Sequence, residues 1–110
     1  MKQYLIDEIR PDEHHKIRTC LEETYGAPEL GNIFWVPLEA EILSAVQAEH
    51  PDCQPFYFAI ELEETSLHCE LLVRTRNRMR CNCIAYADRA QRNWFIECID
   101  QMFESLGIKT

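Results

Sequence analysis

The stretch from Pro55 to Ala87 alternates apolar and polar side chains, and this alternation limits what the chain can fold into. Large apolar side chains occupy every second position from Phe56 to Leu62, and the same period returns from Leu67 to Val73. A period of two is typical of a β-strand that buries one face. Glu64 and Thr65, between the two runs, suit a two-residue turn. The sequence therefore predicts an antiparallel hairpin.

The length of this turn also predicts the register of the hairpin, because Glu63 then pairs with Ser66. The register places apolar residues opposite one another in three pairs: Leu62 with Leu67, Ile60 with Cys69, and Phe58 with Leu71. The apolar faces of the two strands consequently lie on the same side of the sheet.

A third strand is predicted from Arg78 to Tyr86, after a three-residue loop at residues 75 to 77. Its inward parity carries Met79, Cys81, Cys83 and Ala85. This register sets Cys69 against Cys83 and Leu71 against Cys81. The three strands would form an antiparallel meander over residues ~56–86, with thiols among the Phe and Leu side chains of its buried face.

An amphipathic helix is predicted directly after the meander. Asp88 is a good N-cap, apolar residues recur at three- and four-residue spacing from Trp94 to Leu106, and Gly107 suits the position after the last turn. A helix of about 18 residues follows from these signals. Its apolar stripe is expected to cover the buried face of the meander.

The N-terminal half predicts a β-α-(β)-α segment. Residues Tyr4–Ile9 favour a strand, with a helical turn as the alternative. A helix is expected from Pro11 until Gly26, a short strand from Ile33 to Val36, and a second helix from about Leu38 to Glu49. The whole chain, 1–110, is therefore predicted to be a single α+β domain, a two-layer sandwich of an antiparallel sheet and helices.

Composition excludes several classes of protein. A net charge of −8 argues against nucleic-acid binding, because that affinity depends on neutralising phosphates. No apolar run approaches the ~20 residues of a membrane span, and the N-terminus does not have the composition of a secretory signal. The expected location is the cytoplasm. No catalytic or cofactor motif is present, so the sequence favours a non-enzymatic interaction or adaptor domain over an enzyme.

The cysteines offer the chemically distinctive pattern of the chain. All six are expected to be reduced. Cys69, Cys81, Cys83 and Cys98 fall on predicted inward positions, where four thiols could meet. Residues two apart on a strand are ~6.6 Å apart along the chain, which is poor geometry for one metal ion. Core packing is therefore the expectation, with a metal or redox site as the alternative.

Arginines concentrate around the second turn of the meander and the start of the last helix: Arg74, Arg76, Arg78, Arg80, Arg89 and Arg92. Guanidinium groups recognise carboxylates and phosphates through paired hydrogen bonds. The cluster thus predicts a site for an anionic ligand or an acidic protein segment. Pairing with Glu61, Glu63 and Glu70 on the same face is the alternative, in which the arginines only solubilise the sheet.

The outer parity of the meander carries an apolar strip that includes Tyr57, Leu72, Ile84 and Tyr86. An exposed apolar strip rimmed by charge is typical of a surface for a partner or a second copy of the chain. The sequence therefore predicts a homodimer or another protein complex through this face. Covering of the strip by the first two helices is the alternative.

Overall fold

The computed structural model describes residues 2–77 and 81–109, which form an antiparallel sheet with helices on one side. The prediction of an α+β fold is confirmed. In chain order the elements are β1 (Gln3–Ile6), α1 (Pro11–Tyr25), β2 (Ile33–Pro37), α2 (Ala45–Ala48), β3 (Phe56–Leu62), β4 (Leu67–Glu70), β5 (Leu72–Thr75), β6 (Ala85–Tyr86) and α3 (Arg89–Ser105), with short 3₁₀ turns at Ala40–Ile42 and Pro51–Cys53.

Strand β3 lies in the middle of the sheet, with β2 on one side and β4 and β5 on the other. The predicted hairpin turn is present, since the Glu63 amide donates to the Ser66 carbonyl at 2.8 Å. The predicted pairs of Ile60 with Cys69 and of Leu62 with Leu67 are confirmed. The hairpin thus forms at the place and in the register that its turn length implies.

The predicted pair of Phe58 with Leu71 is wrong, because the strand opposite β3 contains a bulge. The chain from β4 to β5 has two more residues at this place than the opposite stretch of β3 has. Tyr57 therefore pairs with Arg74, two positions beyond the partner that the register of β3 with β4 would give it. At the bulge the Leu71 amide donates to the Lys2 carbonyl at 3.1 Å, and the Leu71 carbonyl accepts from the Ala87 amide at 2.7 Å. On the edge that faces away from β3, the neighbouring strand is therefore β1 before the bulge, beside β4, and β6 after it, beside β5.

The predicted third strand is also wrong from residue 81 to residue 84, which form a turn. Among the described residues of this stretch, only Ala85 and Tyr86 pair with β5, opposite Val73 and Leu72. The expected pairs of Cys69 with Cys83 and of Leu71 with Cys81 do not form. The edge of β4 that they required is occupied by β1, which places Tyr4 opposite Cys69. The predicted start of this strand, at residues 78 to 80, lies outside the described residues.

The buried face of the sheet packs against helices α1 and α3. Phe58 of β3 stacks on Phe95 of α3 with ring centroids 4.1 Å apart. Helix α1 contributes Ile17 and Leu21, both fully buried, to the same core. The predicted cap of α3 is confirmed, since the Asp88 carboxylate accepts from the Gln91 amide at 2.8 Å. Burial of large apolar side chains from both layers supplies the main driving force for folding.

The predicted helix from Leu38 to Glu49 is wrong, because this segment forms two short pieces. Ser44 has extended backbone angles and its hydroxyl accepts from the Gln47 amide at 3.2 Å, which starts a new four-residue helix. Because the helix starts again after Ser44, the side chain of Val46 points outward and the residue is 41% exposed, whereas Gln47 is buried and only 2% exposed. A serine cap competes with the helical backbone and therefore ends the first piece.

Gln47 and Gln91 form a buried polar contact that links three segments. The Gln91 side-chain amide donates to Gln47 Oε1 at 2.8 Å and to the Ile42 carbonyl at 2.9 Å. The side-chain amide of Gln47 in turn donates to the Cys83 carbonyl at 3.2 Å. Both side chains also complete capping boxes, Gln47 for α2 and Gln91 for α3. Every side-chain oxygen and nitrogen of the pair is thus engaged.

The opposite face of the sheet carries Trp35, Tyr57 and Leu72, which are half-buried, and Tyr86, which is 43% exposed. Of the first two helices, which are the alternative cover for this face, α1 places its buried side chains Ile17 and Leu21 in the core on the other side. Within residues 2–77 and 81–109, no helix has both the length and the apolar character that a membrane crossing requires.

Replacing Gln91 by Leu is expected to lower the free energy of unfolding by about 1–3 kcal/mol, because the buried Gln47 Oε1 and the partly buried Ile42 carbonyl both lose a donor. Urea unfolding followed by circular dichroism measures the change. The matched control is Gln101→Leu, an exposed position on the same helix, for which a change within ~0.5 kcal/mol is expected. Equal changes in both variants would show that the buried contact does not contribute.

Candidate metal centre

Three cysteines from two separate segments converge at one place in the fold. The sulfur atoms of Cys53, Cys81 and Cys83 all lie within 4.8 Å of one another. The Sγ atoms of Cys53 and Cys81 are 3.9 Å apart. All six cysteines of the chain are free thiols, so the three sulfurs approach one another without a disulfide bond.

A turn brings Cys81 and Cys83 together. The Ile84 amide donates to the Cys81 carbonyl at 3.1 Å, which closes a turn of four residues. On the predicted strand the two residues would have been ~6.6 Å apart along the chain. The objection that a Cys-x-Cys pair has poor geometry for a metal ion therefore does not apply, because it assumed the wrong backbone conformation.

Cys53 lies at the end of the 3₁₀ turn Pro51–Cys53, which precedes β3. Its carbonyl accepts a hydrogen bond from the buried Thr75 hydroxyl. The Asn77 side-chain amide donates to the next carbonyl, that of Gln54, at 2.8 Å. The end of β5 thus fixes the backbone that presents the Cys53 sulfur.

The turn with the other two cysteines is held from the opposite side. Its Cys83 carbonyl accepts from the buried Gln47 amide. Cys53 and Cys83 are buried, whereas Cys81 is half-buried and Asn82 is exposed. The three sulfurs therefore form a pocket with two inner ligand atoms and an accessible third.

The surroundings shift the pKa values of the Cys81 and Cys83 thiols in opposite directions. Hydrogen bonds from the Cys83 thiol and the Cys83 amide lower the pKa of Cys81 to about 7, with smaller contributions from the Cys53 thiol and the charge of His50. Burial, together with the neighbouring Cys81 and Cys53, raises the pKa of Cys83 to about 12. A thiolate at Cys81, with thiol donors around it, is the arrangement that these shifts favour.

The predicted group of four thiols is only partly correct. Cys81 and Cys83 belong to the cluster, but Cys69 lies in the core, where burial raises its pKa strongly. Cys98 is half-buried on α3, outside the cluster. Cys53 was missed, although the spacing His50-x-x-Cys53 followed by Cys-x-Cys is a signal for metal ligands that the sequence offered.

The arginines predicted to bind an anionic ligand lie in several surroundings. Arg74 pairs with Glu70 at 2.9 Å, as in the solubilising alternative, and Arg76 pairs with Glu29 at 2.9 Å. Arg89 and Arg92 are exposed at the start of α3. Arg78 and Arg80 lie outside the described residues. Binding of an anion by this group stays a prediction.

The residues predicted for self-association lie on or beside the face of the sheet that α1 and α3 leave uncovered. Tyr57, Leu72 and Tyr86 belong to this face, and Ile84 lines a surface cavity of about 530 Å³ together with Trp35 and Leu72. Trp35, which the prediction did not include, contacts Tyr57 edge-on with ring centroids 6.0 Å apart. Trp35 lies in β2, opposite Ala59 of β3, on the side of β3 away from β4 and β5.

In metal-free protein, Cys81 is expected to react with iodoacetamide faster than Cys69 and Cys83 near pH 7.5, because the thiolate is the nucleophile. Its rate should fall as the pH drops below about 7, where the Cys81 thiol becomes protonated. Tandem mass spectrometry of tryptic peptides after short labelling at several pH values measures this, because fragmentation locates the label within the peptide that contains both Cys81 and Cys83. A Cys81 rate that rises only above pH ~8.5, the range of an ordinary thiol, would contradict the expectation.

The chain was compared with protein-family models, with curated proteins and with solved structures, and none of them matches it. The function is therefore inferred from the chemistry of the cysteine cluster and of the exposed sheet face.

Proposed function

We propose that this chain is a zinc-binding protein and that the thiolates of Cys53, Cys81 and Cys83 are three of the zinc ligands. The observation that supports the proposal is the convergence of the three sulfurs within 4.8 Å. Thiolates are soft ligands that select zinc among the divalent ions of the cell. Packing alone does not require that half of the cysteines of a chain meet at one point.

The distances between the sulfurs are close to those of a zinc site. Zn–S bonds of ~2.3 Å in a tetrahedron place neighbouring sulfurs ~3.8 Å apart. Cys53 and Cys81 are already at 3.9 Å, and the remaining separations need to shorten by ~1 Å at most. A redox pair needs only two sulfurs, so the third cysteine within the same radius favours a metal over a disulfide.

A zinc ion at this place would connect two parts of the chain that are distant in sequence. Cys53 precedes the central strand β3, and the turn with Cys81 and Cys83 precedes α3. A metal bound by both segments contributes its binding free energy to the folded state, because the unfolded chain does not hold the ligands together. The role we propose is therefore structural, in a reducing compartment such as the cytoplasm, where the thiols persist.

Protein purified under reducing conditions without a chelator is expected to contain one zinc per chain. Cys81→Ser should lose the metal, because a serine hydroxyl does not replace a thiolate. The matched control is Cys98→Ser, since Cys98 is also half-buried but lies outside the cluster. Elemental analysis measures the metal, and thermal unfolding with and without chelator measures its effect on stability. At a zinc concentration 100 times the Kd, stabilisation of about 2.7 kcal/mol is expected.

Two results would contradict the zinc proposal. The first is wild-type protein that binds no zinc after reduction and reconstitution. The second is protein that contains copper or iron in place of zinc, since thiolates also bind copper(I) and iron–sulfur clusters.

A second candidate function is self-association through the sheet face that α1 and α3 leave uncovered. We infer it from an apolar strip in which Trp35, Tyr57 and Leu72 are half-buried and Tyr86 is 43% exposed. Aromatic residues are enriched at the centres of protein interfaces. A stable dimer buries about 800 Å² per partner, for which a face that spans all strands of the sheet offers room.

Charged side chains lie around this strip. Glu61 and Glu63 lie toward the hairpin turn, whereas Arg74 and Arg76 pair with Glu70 and Glu29 within the chain. The pKa of Glu61 is raised by burial and by the neighbouring Glu63 carboxylate. An apolar strip rimmed by charge is typical of a surface for a second copy or another protein.

Tyr86→Asp is expected to weaken the dimer by at least about 10-fold in Kd, because it buries a charge at the interface. Sedimentation equilibrium over a range of protein concentrations measures the dissociation constant. Leu30→Asp is the matched control, since Leu30 is 77% exposed on the loop between α1 and β2, and its Kd should not change. A wild-type chain that stays monomeric at the highest concentrations would exclude the dimer.

A further inference from the structure

His50 and Cys53 lie at the two ends of one 3₁₀ turn. The Cys53 amide donates to the His50 carbonyl at 3.0 Å. His50 is the N-cap residue of this turn and has non-helical backbone angles, φ −115° and ψ 69°. The turn therefore keeps His50 close to the backbone of Cys53.

The hydrogen bond of the imidazole fixes which of its nitrogens is free. Nδ1 of His50 lies 2.5 Å from the Val46 carbonyl oxygen. A carbonyl only accepts, so Nδ1 carries the proton and Nε2 carries the lone pair in the neutral ring. A histidine that binds a metal through one nitrogen and donates to a backbone carbonyl from the other is the usual arrangement in metal sites.

We propose that Nε2 of His50 is the fourth ligand of the zinc ion and completes a Cys₃His site. The inference rests on the proposed zinc-binding function and names the residue that would close the tetrahedron. The imidazole belongs to the residue whose carbonyl accepts from the Cys53 amide and closes the turn. Its nitrogens are not among the ligand atoms within 4.8 Å of one another, so zinc binding requires the ring and the sulfurs to move closer. His50 is half-buried, at the N-cap of that short turn.

The other polar groups near the cluster fit the fourth position less well. Asp52 stands one residue before Cys53, and in a 3₁₀ turn this places its side chain about 120° away around the axis. Asp52 is accordingly exposed. The Asn82 side-chain oxygen lies 3.5 Å from the Cys81 sulfur, but zinc sites use Cys, His, Asp and Glu ligands in preference to amides. Of these groups, His50 alone combines a preferred zinc-binding nitrogen with a hydrogen bond that leaves the lone pair on that nitrogen.

Cobalt(II) in place of zinc tests the proposal through the visible spectrum of the bound ion. For His50→Ala we expect the thiolate-to-cobalt charge-transfer band to keep its intensity, since three sulfurs still bind. The ligand-field bands should change shape, because an oxygen of water replaces the nitrogen. Zinc affinity should fall by about 100-fold or more, beyond the loss of 10- to 100-fold that removal of an outer partner causes. His15→Ala, at an exposed position on α1, is the matched control and should keep the wild-type spectrum and affinity.

Nitrogen NMR of the wild-type chain gives a readout that does not depend on a variant that folds. With zinc added, the His50 ring should show a metal-bound Nε2 and a protonated Nδ1. A His50 ring that shows no metal-bound nitrogen while the three thiolates bind zinc would overturn the role of His50 and leave the zinc site standing. A wild-type chain that binds neither zinc nor cobalt would overturn the zinc site and the role of His50 together.

Discussion

The contact between the buried side chains of Gln47 and Gln91 is the interaction on which the arrangement of the cysteine cluster depends. The pair connects the start of α2, the start of α3 and the backbone of Cys83. A buried amide that loses its partner costs about 1–3 kcal/mol, so few other arrangements of these segments satisfy both side chains. Because each glutamine also caps its helix, the helix starts and the cysteine turn are positioned together.

The bulge at Leu71 has the second large effect on the site. Strands β4 and β5 run on from one another, and the bulge lies between them. Because of it, β1 pairs with the outer edge of β4 and β6 pairs with the outer edge of β5. The chain after β5 therefore has only a short edge to pair with. Residues 81 to 84 form a turn in place of a longer strand. The turn brings the sulfurs of Cys81 and Cys83 close together and directs them to Cys53.

The two proposed functions meet at Ile84. This residue follows Cys83 directly and lines the cavity on the uncovered face together with Trp35 and Leu72. If zinc holds the turn, it also holds the position of Ile84 at the edge of that face. A small domain gains limited stability from a single core. A metal ion and an intersubunit contact are two usual ways to add to it, and here they would act on neighbouring residues.

The sequence by itself determined the elements whose signals are local. The alternation in Phe56–Leu62, the hairpin turn that follows, and helix α3 between Asp88 and Gly107 depend on side-chain period and caps, and the structure forms them where the sequence predicts them. The alternation of apolar and polar residues also predicted that Tyr57 and Tyr86 lie on the opposite face of the sheet from the buried side chains.

The tertiary structure alone decided which strand occupies the edge of β4 and which cysteines meet. β1 takes that edge although 60 residues separate it from β4 in the chain, and no local pattern records this competition. The cluster joins Cys53 to Cys81 and Cys83 through the same long-range contacts, since the bulge and the glutamine contact position the segments that carry its members. The residue types allowed a metal site, and the packing of distant segments determined where its ligands converge.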